Sequence, residues 1–193
     1  MPGPNSHTRQ KYSREWAIQQ RAEHGHLNCL MFWSHRAAKG GRVGPSSFSQ
    51  WFESPFRVDR IKYHTAEHWM MAEKARLFKD KEALGEILAS KDPEKAKHAG
   101  RKVRNYDGTL WDRHRYQAVI EGNFHKFSAH KDLRAYLLKT GDTLLVEASP
   151  VDAVWGTGLA AAHVDAQNPA AWPGLNLLGF ALMEVRDRLR EAD

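Results

Sequence analysis

The chain has 193 residues, with 29 Lys and Arg against 23 Asp and Glu, and a single cysteine, Cys29. That is one domain's worth of chain, and its net charge of +6 suits anionic partners, whether a phosphate-bearing small molecule or a nucleic acid. One thiol excludes an intrachain disulfide. The chain carries neither an uninterrupted apolar run of about 18 residues nor an apolar leader core, so a soluble cytoplasmic protein with no membrane partner is expected.

Residues 1–27, with Pro2, Gly3, Pro4 and scattered Arg, His and Gln, hold too little apolar material for a core. They read as a flexible tail with one helical turn around Trp16, and residues 28–193 read as the folded domain. Residues 29–33 form a strand, and the glycine-rich stretch 39–47 a loop. Residues 56–63 suit a short hairpin turning at Asp59 and Arg60. Helices follow at 65–79, 81–90, 93–103, 109–127 and 130–139. A strand at 143–147 and a closing helix from Leu177 to Arg190 complete an α+β fold, a mostly helical single domain with a small β-sheet.

The helix at 65–79, with Thr65 as its candidate N-cap, carries the least ordinary pair of residues. At roughly 100° per residue, Ala66, Leu77, Met70, Lys74, Glu67, Phe78 and Met71 share one arc, so Glu67 and Lys74 stand inside the apolar face. His68, Ala72, Arg76 and Lys79 occupy the other side. Two charges about 10 Å apart on a buried face need a polar pocket or partners. A pocket is one resolution. Snorkelling, or an ion partner from another element, is the alternative.

A second constellation runs from Glu147 through Asp152 and Trp155 to Gly156 and Gly158. It offers two carboxylates for acid–base work, an indole for stacking on a base, and glycines that let a backbone approach a ligand. Taken singly, Asp152 suits a cap, Trp155 a core and Glu147 a strand end. Residues 156–161 also match a dinucleotide fingerprint, but Pro169 follows too soon and no acidic residue stands about 20 positions on, so a Rossmann site is not expected. His64, Glu67 and His68 match the H-x-x-E-H pattern of inverted zinc peptidases. With Thr65 as cap, His64 falls outside the helix and the metal geometry fails. Residues 48–56 crowd four aromatics around Gln50, as core or as the wall of a base pocket. The basic run 91–104 is either a solvated helix face or a phosphate guide.

Six motifs in order, FSQWFESPF (48–56), KYHTAEHWMMAEKA (62–75), AKHAGRKV (96–103), KFSAHKDLRAYLLKTG (126–141), LVEASPVDAVWGTG (145–158) and GLNLLGFALMEVR (174–186), resemble the NADAR, or YbiA-like, family. The resemblance spans about residues 32–189. It implies an enzyme that cleaves N-glycosidic bonds to ribose, with 28–193 as its catalytic domain. The substrates implied are ADP-ribosylated guanosine in DNA or RNA, or phosphorylated ribosylamino-pyrimidines of riboflavin synthesis. Glu67, Lys74, Glu147, Asp152, Trp155, Gly156, Asn176 and Gly179 match family motif positions, whereas Ser49-Gln50-Trp51 departs from the usual serine-asparagine-phenylalanine and leaves substrate choice open.

Residue chemistry and resemblance together assign Glu67, Lys74 and Asp152 to catalysis. The expected substrate-binding set is Ser49, Gln50, Trp51, Phe52, Glu147, Trp155, Gly156, Gly158 and Asn176. Glu67 and Asp152 share the carboxylate roles. Lys74, desolvated, is a nucleophile toward an opened sugar or an anchor for ribose or phosphate. Trp155, Trp51 and Phe52 stack on base or ribose, and Gly156 and Gly158 present N–H groups to phosphate. No cofactor and no metal are expected. The competing class is a binding module that recognises ADP-ribose or nucleic acid without cleaving it.

Overall fold

The structure, a computed structural model, describes residues 10–36 and 42–192. Seven helices are present among them: α1 (Arg14–His24), α2 (Ala66–Leu77), α3 (Lys81–Ala89), α4 (Pro93–Arg101), α5 (Gly108–Ala129), α6 (Lys131–Lys139) and α7 (Leu177–Glu191). The strands are β1 (Cys29–Phe32), β2 (Phe56–Val58), β3 (Ile61–Tyr63) and β4 (Leu144–Glu147). This is the mostly helical α+β domain that the periodicities predict. No helix among the described residues is long and apolar enough to cross a membrane.

Most helices start where a short acceptor side chain meets an otherwise unsatisfied first-turn N–H: Ser13, Asp80, Asp92 and Asp107 each accept one. Asp80 also takes the main-chain N–H and guanidinium of Arg104, tying the start of α3 to the end of α4. Thr65 occupies the N-cap position of α2, but its hydroxyl pairs with Nδ1 of His68 (2.9 Å) rather than with backbone. The Glu67 N–H is satisfied instead by the carbonyl of Gln50 (3.0 Å), from the segment that follows a 3₁₀ turn at Pro45–Phe48. That turn closes the predicted glycine-rich loop, whose residues through 41 lie outside the described ones.

α2 is the hub. It packs against α3, α4, α5 and β3, and α5 packs in turn against α7. The expectation that α2 shows one apolar face and one polar face is overturned: His68 and Ala72, on the supposed outer side, are as buried as Met70 and Met71. Glycines make this possible. A Cβ on Gly100 of α4 would lie 2.1 Å from Sδ of Met71, and one on Gly122 of α5 would lie 2.4 Å from the Trp69 ring.

β2 and β3 form the predicted antiparallel hairpin, with Asp59 and Arg60 both at positive φ (48° and 68°), as a tight two-residue turn of the primed type requires. β1 pairs in parallel with β4 in the register Cys29↔Leu144 to Phe32↔Glu147, so the hub and its neighbours form the crossover between them. Asn176, fully buried and in the left-handed region (φ 54°), locks β4 to the start of α7. Its Oδ1 accepts from Glu147 N and its Nδ2 donates to Leu145 O, both at 2.9 Å.

The reading of residues 1–27 as a flexible tail does not hold for those described. From Gln10 the chain is docked, and α1 has three turns rather than one. Tyr12 donates to Asp187 (2.6 Å), Lys11 pairs with the same carboxylate, and Arg14 donates to the carbonyls of Pro169 and Ala170 (both 3.0 Å). The anchors are polar and aromatic, so low apolar content concealed them. Residues 1–9 lie outside the described ones.

Two glycine substitutions should part in opposite directions. A Cβ on Gly179 would stand 2.1 Å from the Leu145 carbonyl and 2.6 Å from the Asn176 amide, whereas one on Gly85, inside α3, meets nothing within 4 Å. In urea unfolding, Gly179→Ala is expected to lose about 2–3 kcal/mol and Gly85→Ala to gain about 0.5–1 kcal/mol.

Candidate active site

Glu67 is only 3% exposed and Lys74 only 9%, and neither has an ion partner among the described residues. Both line one cleft of about 310 Å³, so the pocket, not the ion pair, is what the buried charges serve. Three parts of the chain converge there on α2. The Ser49, Gln50 and Trp51 segment arrives from the 3₁₀ turn, Lys97 and Arg101 project one turn apart from α4, and Glu147, Asp152 and Trp155 come from the end of β4 and the turn after it. Met70, Met71, Val154 and Leu178 supply apolar wall, and Tyr106 and Trp111 close the side near Lys74.

The carboxyls are tuned by one another and by burial. Burial pushes Glu67 up to about 7; the Asp152 charge adds to this, while Lys97, the nearby Trp51 side chain and Arg101 pull it back. Glu147 is pushed up to about 8, first by burial and then by the charges of Asp152 and Glu67. One oxygen of each, Glu67 Oε1 and Glu147 Oε2, is buried without a hydrogen-bond partner. Asp152 is held differently. Its Oδ1 accepts from the main-chain N–H groups of Val154 (2.9 Å) and Trp155 (2.8 Å), which fixes the carboxylate at the rim of the turn. Two carboxylic acids able to exchange protons near neutrality therefore stand with an anchored third carboxylate, the equipment for acid–base chemistry at a departing group.

Lys74 rests on rings rather than on an acid: its Nζ is 4.2 Å from the Tyr106 centroid and 5.8 Å from that of Trp111. Burial, then repulsion by Arg101, lowers its affinity for a proton, which favours the neutral, nucleophilic amine. Lys97 and Arg101 form no ion pair among the described residues, and Lys97 also lies 5.6 Å from the Trp51 ring. Beyond them the cleft continues into an outer lobe of about 680 Å³ that adds Trp33, His35 and Ser149, with His35 and Trp51 5.6 Å apart.

Of the residues expected from sequence, Glu67, Lys74, Asp152, Ser49, Gln50, Trp51, Glu147 and Trp155 meet in this cleft. Phe52, Gly156, Gly158 and Asn176 stand outside its lining and correct the expectation. Phe52 turns back to the core near Lys126. Gly156 is required because a Cβ would lie 2.8 Å from the Glu147 carbonyl, and Gly158 because its φ is +75° and a Cβ would strike Pro173 at 2.7 Å. Both shape the turn rather than cradle phosphate. Asn176 spends both ends of its amide on β4. Lys97 and Arg101, in the basic run, and Tyr106, Trp111 and Arg115 were not singled out individually. Lys97 and Arg101 share one helix face at four-residue spacing, whereas no such pattern marks Tyr106, Trp111 or Arg115.

The peptidase pattern does not assemble. His64 precedes α2, and His68 turns toward Thr65 and His64 (ring centroids 5.8 Å apart), away from the cleft that Glu67 lines. No group of three or more His, Cys, Asp or Glu side chains among the described residues is arranged to hold a metal ion. Residues 156–161 form a turn and open no helix, as expected.

A family model, the NADAR domain, matches residues 31–190. An N-glycosidase of Acanthamoeba polyphaga mimivirus is 42% identical over 155 residues, 78% of this chain and 91% of that protein. The N-glycosidase YbiA of Escherichia coli is 33% identical over 144 residues, 75% of this chain and 79% of that protein. The NMR structure of E. coli YbiA superimposes with a TM-score of 0.67 at 28% identity, over 91% of this chain and 94% of that one.

The buried acids should register in stability. Because Glu147 holds its proton to about pH 8 when folded but only to about 4.5 when unfolded, the folded state binds more protons between those values and stability falls as pH rises through them. Glu147→Gln, which removes that penalty, is expected to raise Tm by about 5 °C or more at pH 8.5 and by less than about 2 °C at pH 4.5, read by calorimetry.

Proposed function

The chain belongs to the NADAR family and is an N-glycosidase, and from that premise we propose that its cleft takes a phosphorylated ribosyl substrate and breaks the bond between C1′ of the ribose and a base nitrogen. The observation that carries the reading is the convergence of two neutral-range carboxylic acids, an anchored carboxylate and a desolvated lysine in one pocket flanked by two cations with no ion partner among the described residues. Lys97 and Arg101 balance phosphate charge at the mouth, and Trp51 and Trp155 offer faces for a base. The continuity of the inner pocket with the larger outer lobe favours ADP-ribosylated guanosine, in DNA or RNA, over a small ribosylamino-pyrimidine phosphate, which the inner pocket would hold by itself.

The chemistry follows from the arrangement. Glu67, in its protonated form, donates a proton to the leaving nitrogen or ring oxygen as the sugar bond weakens, and the Asp152 carboxylate stabilises positive charge developing at C1′. With the ring opened, the neutral Lys74 amine attacks C1′. The carbon–nitrogen bond to the base breaks, the base leaves as its amine, and an imine joins Lys74 to the sugar. Water then adds to the imine, releasing the sugar aldehyde and restoring the lysine. Glu147, beside Glu67, shuttles the proton that each addition and departure requires.

Two variants test this on both substrate classes. Glu67→Gln keeps shape but transfers no proton, and is expected to lose turnover by about 100-fold or more while affinity stays within about threefold; activity within about tenfold of the parent would remove Glu67 from the chemistry. Borohydride added during turnover should fix the sugar to the peptide containing Lys74, and Lys74→Arg should be inactive. An active arginine variant with no adduct would make Lys74 an anchor and direct attack by water the route.

A further inference from the structure

Lys126, on α5, is fully buried, and among the described residues it has no carboxylate partner. Its Nζ donates to the carbonyls of Ser47 (2.6 Å) and Ser49 (3.0 Å), with the Phe52 and Phe127 rings 5.7 and 5.2 Å away. Desolvation alone lowers its proton affinity, to about 7. A buried ammonium with no carboxylate beside it is expensive, and an apolar side chain of similar volume would fill the space without that expense. Its position suggests what the residue is for.

One turn earlier on the same face, Asn123, also fully buried, donates from Nδ2 to Gln50 Oε1 (2.7 Å). α5 thus grips residues 47–50 at three acceptors, two carbonyls and one amide oxygen. The gripped segment passes directly to the site: the Gln50 carbonyl receives the Glu67 N–H, the Trp51 side chain stands near enough to lower the proton affinity of the Glu67 carboxyl, and Ser49, Gln50 and Trp51 line the cleft. Lys126 itself is absent from that lining. We propose that Lys126 is a positioning residue of the glycosidase site, its ammonium setting the place of residues 47–51 and, through Gln50 and Trp51, the placement of the Glu67 carboxyl. Asn123 assists from the same face. The inference rests on the reading of the cleft given above.

The Glu67 amide supplies a direct readout. As a first-turn N–H it has no partner within its own helix, so its protection from hydrogen exchange reports on the Gln50 carbonyl alone. In Lys126→Met, which keeps bulk and loses the three donors, that amide is expected to exchange at least tenfold faster while amides in the middle of α5 and α7 keep their rates. In the same variant kcat is expected to fall about tenfold or more with KM moving by less than about threefold. Lys126→Gln, with donors for one carbonyl, should fall between and serves if the methionine variant does not fold.

Unchanged Glu67 exchange with unchanged kcat in a folded variant would overturn the proposal, as would a uniform loss of protection across the core or a loss confined to KM. The exchange measurement needs no substrate. Should the protein act on neither substrate class, the selective loss of protection alone supports the grip and its absence alone refutes it, so the two readings fail separately.

Discussion

A helix enclosed on most sides has little solvent to which it can send a charge, and in α2 only Glu73, Arg76 and Leu77 are partly exposed. α2 meets α3, α4, α5 and β3, and even His68 and Ala72 on its far side are enclosed. Glu67 and Lys74 therefore have only the interior to occupy. The fold accepts them by leaving a cleft where Trp51, Tyr106, Trp111 and Trp155 stop short of close packing. Everything else at the site answers that constraint. The Gln50 carbonyl takes the helix's free N–H, the tyrosine ring takes the Lys74 head group, and neighbouring cations from α4 moderate the carboxyl.

The second support is the parallel pairing of β1 with β4, held from behind by the Asn176 amide. It brings Glu147 to the cleft edge, and the turn that follows swings Asp152 and Trp155 over the same space. Gly156 and Gly158 allow that turn to lie against β4 and Pro173 with no room for a side chain. Three carboxyls gathered in this way repel one another. Burial first, and then the charge of Asp152 and, for Glu147, that of Glu67, raise the proton affinity of Glu67 and Glu147, while Lys97 opposes the rise at both and Arg101 at Glu67.

Much of the fold was legible because its signals are local. The hairpin at 56–63 is marked by alternation and a turn pair, and the helices at 81–90, 93–103 and 130–139 by periodicity and acidic starts. Glu67 and Lys74 were legible for the same reason, since rotation about the helix axis places them on an arc with Met70 and Phe78 whatever surrounds the helix. What could not be read was what covers α2's other side, because Gly100 and Gly122 act from distant segments. Lys97 and Arg101 look identical in sequence to solvated lysines and arginines, and Lys126 looks like any surface lysine beside Phe127. Gly156, Gly158 and Asn176 share their residue types with phosphate cradles. Only the neighbours, the Glu147 carbonyl, Pro173 and the two ends of β4, show that these residues are spent on the fold. Tyr12 and Arg14 escaped because polar docking leaves no apolar periodicity.

The central claim is that this cleft breaks a carbon–nitrogen bond at ribose and leaves phosphate bonds alone. The direct measurement is product identity by mass spectrometry after incubation with ADP-ribosylated guanosine DNA and, separately, with ribosylamino-pyrimidine phosphates. The account predicts an unmodified base together with ADP-ribose, or the corresponding ribose phosphate, every phosphate retained. Release of inorganic phosphate or of a nucleoside monophosphate with the glycosidic bond intact would contradict it.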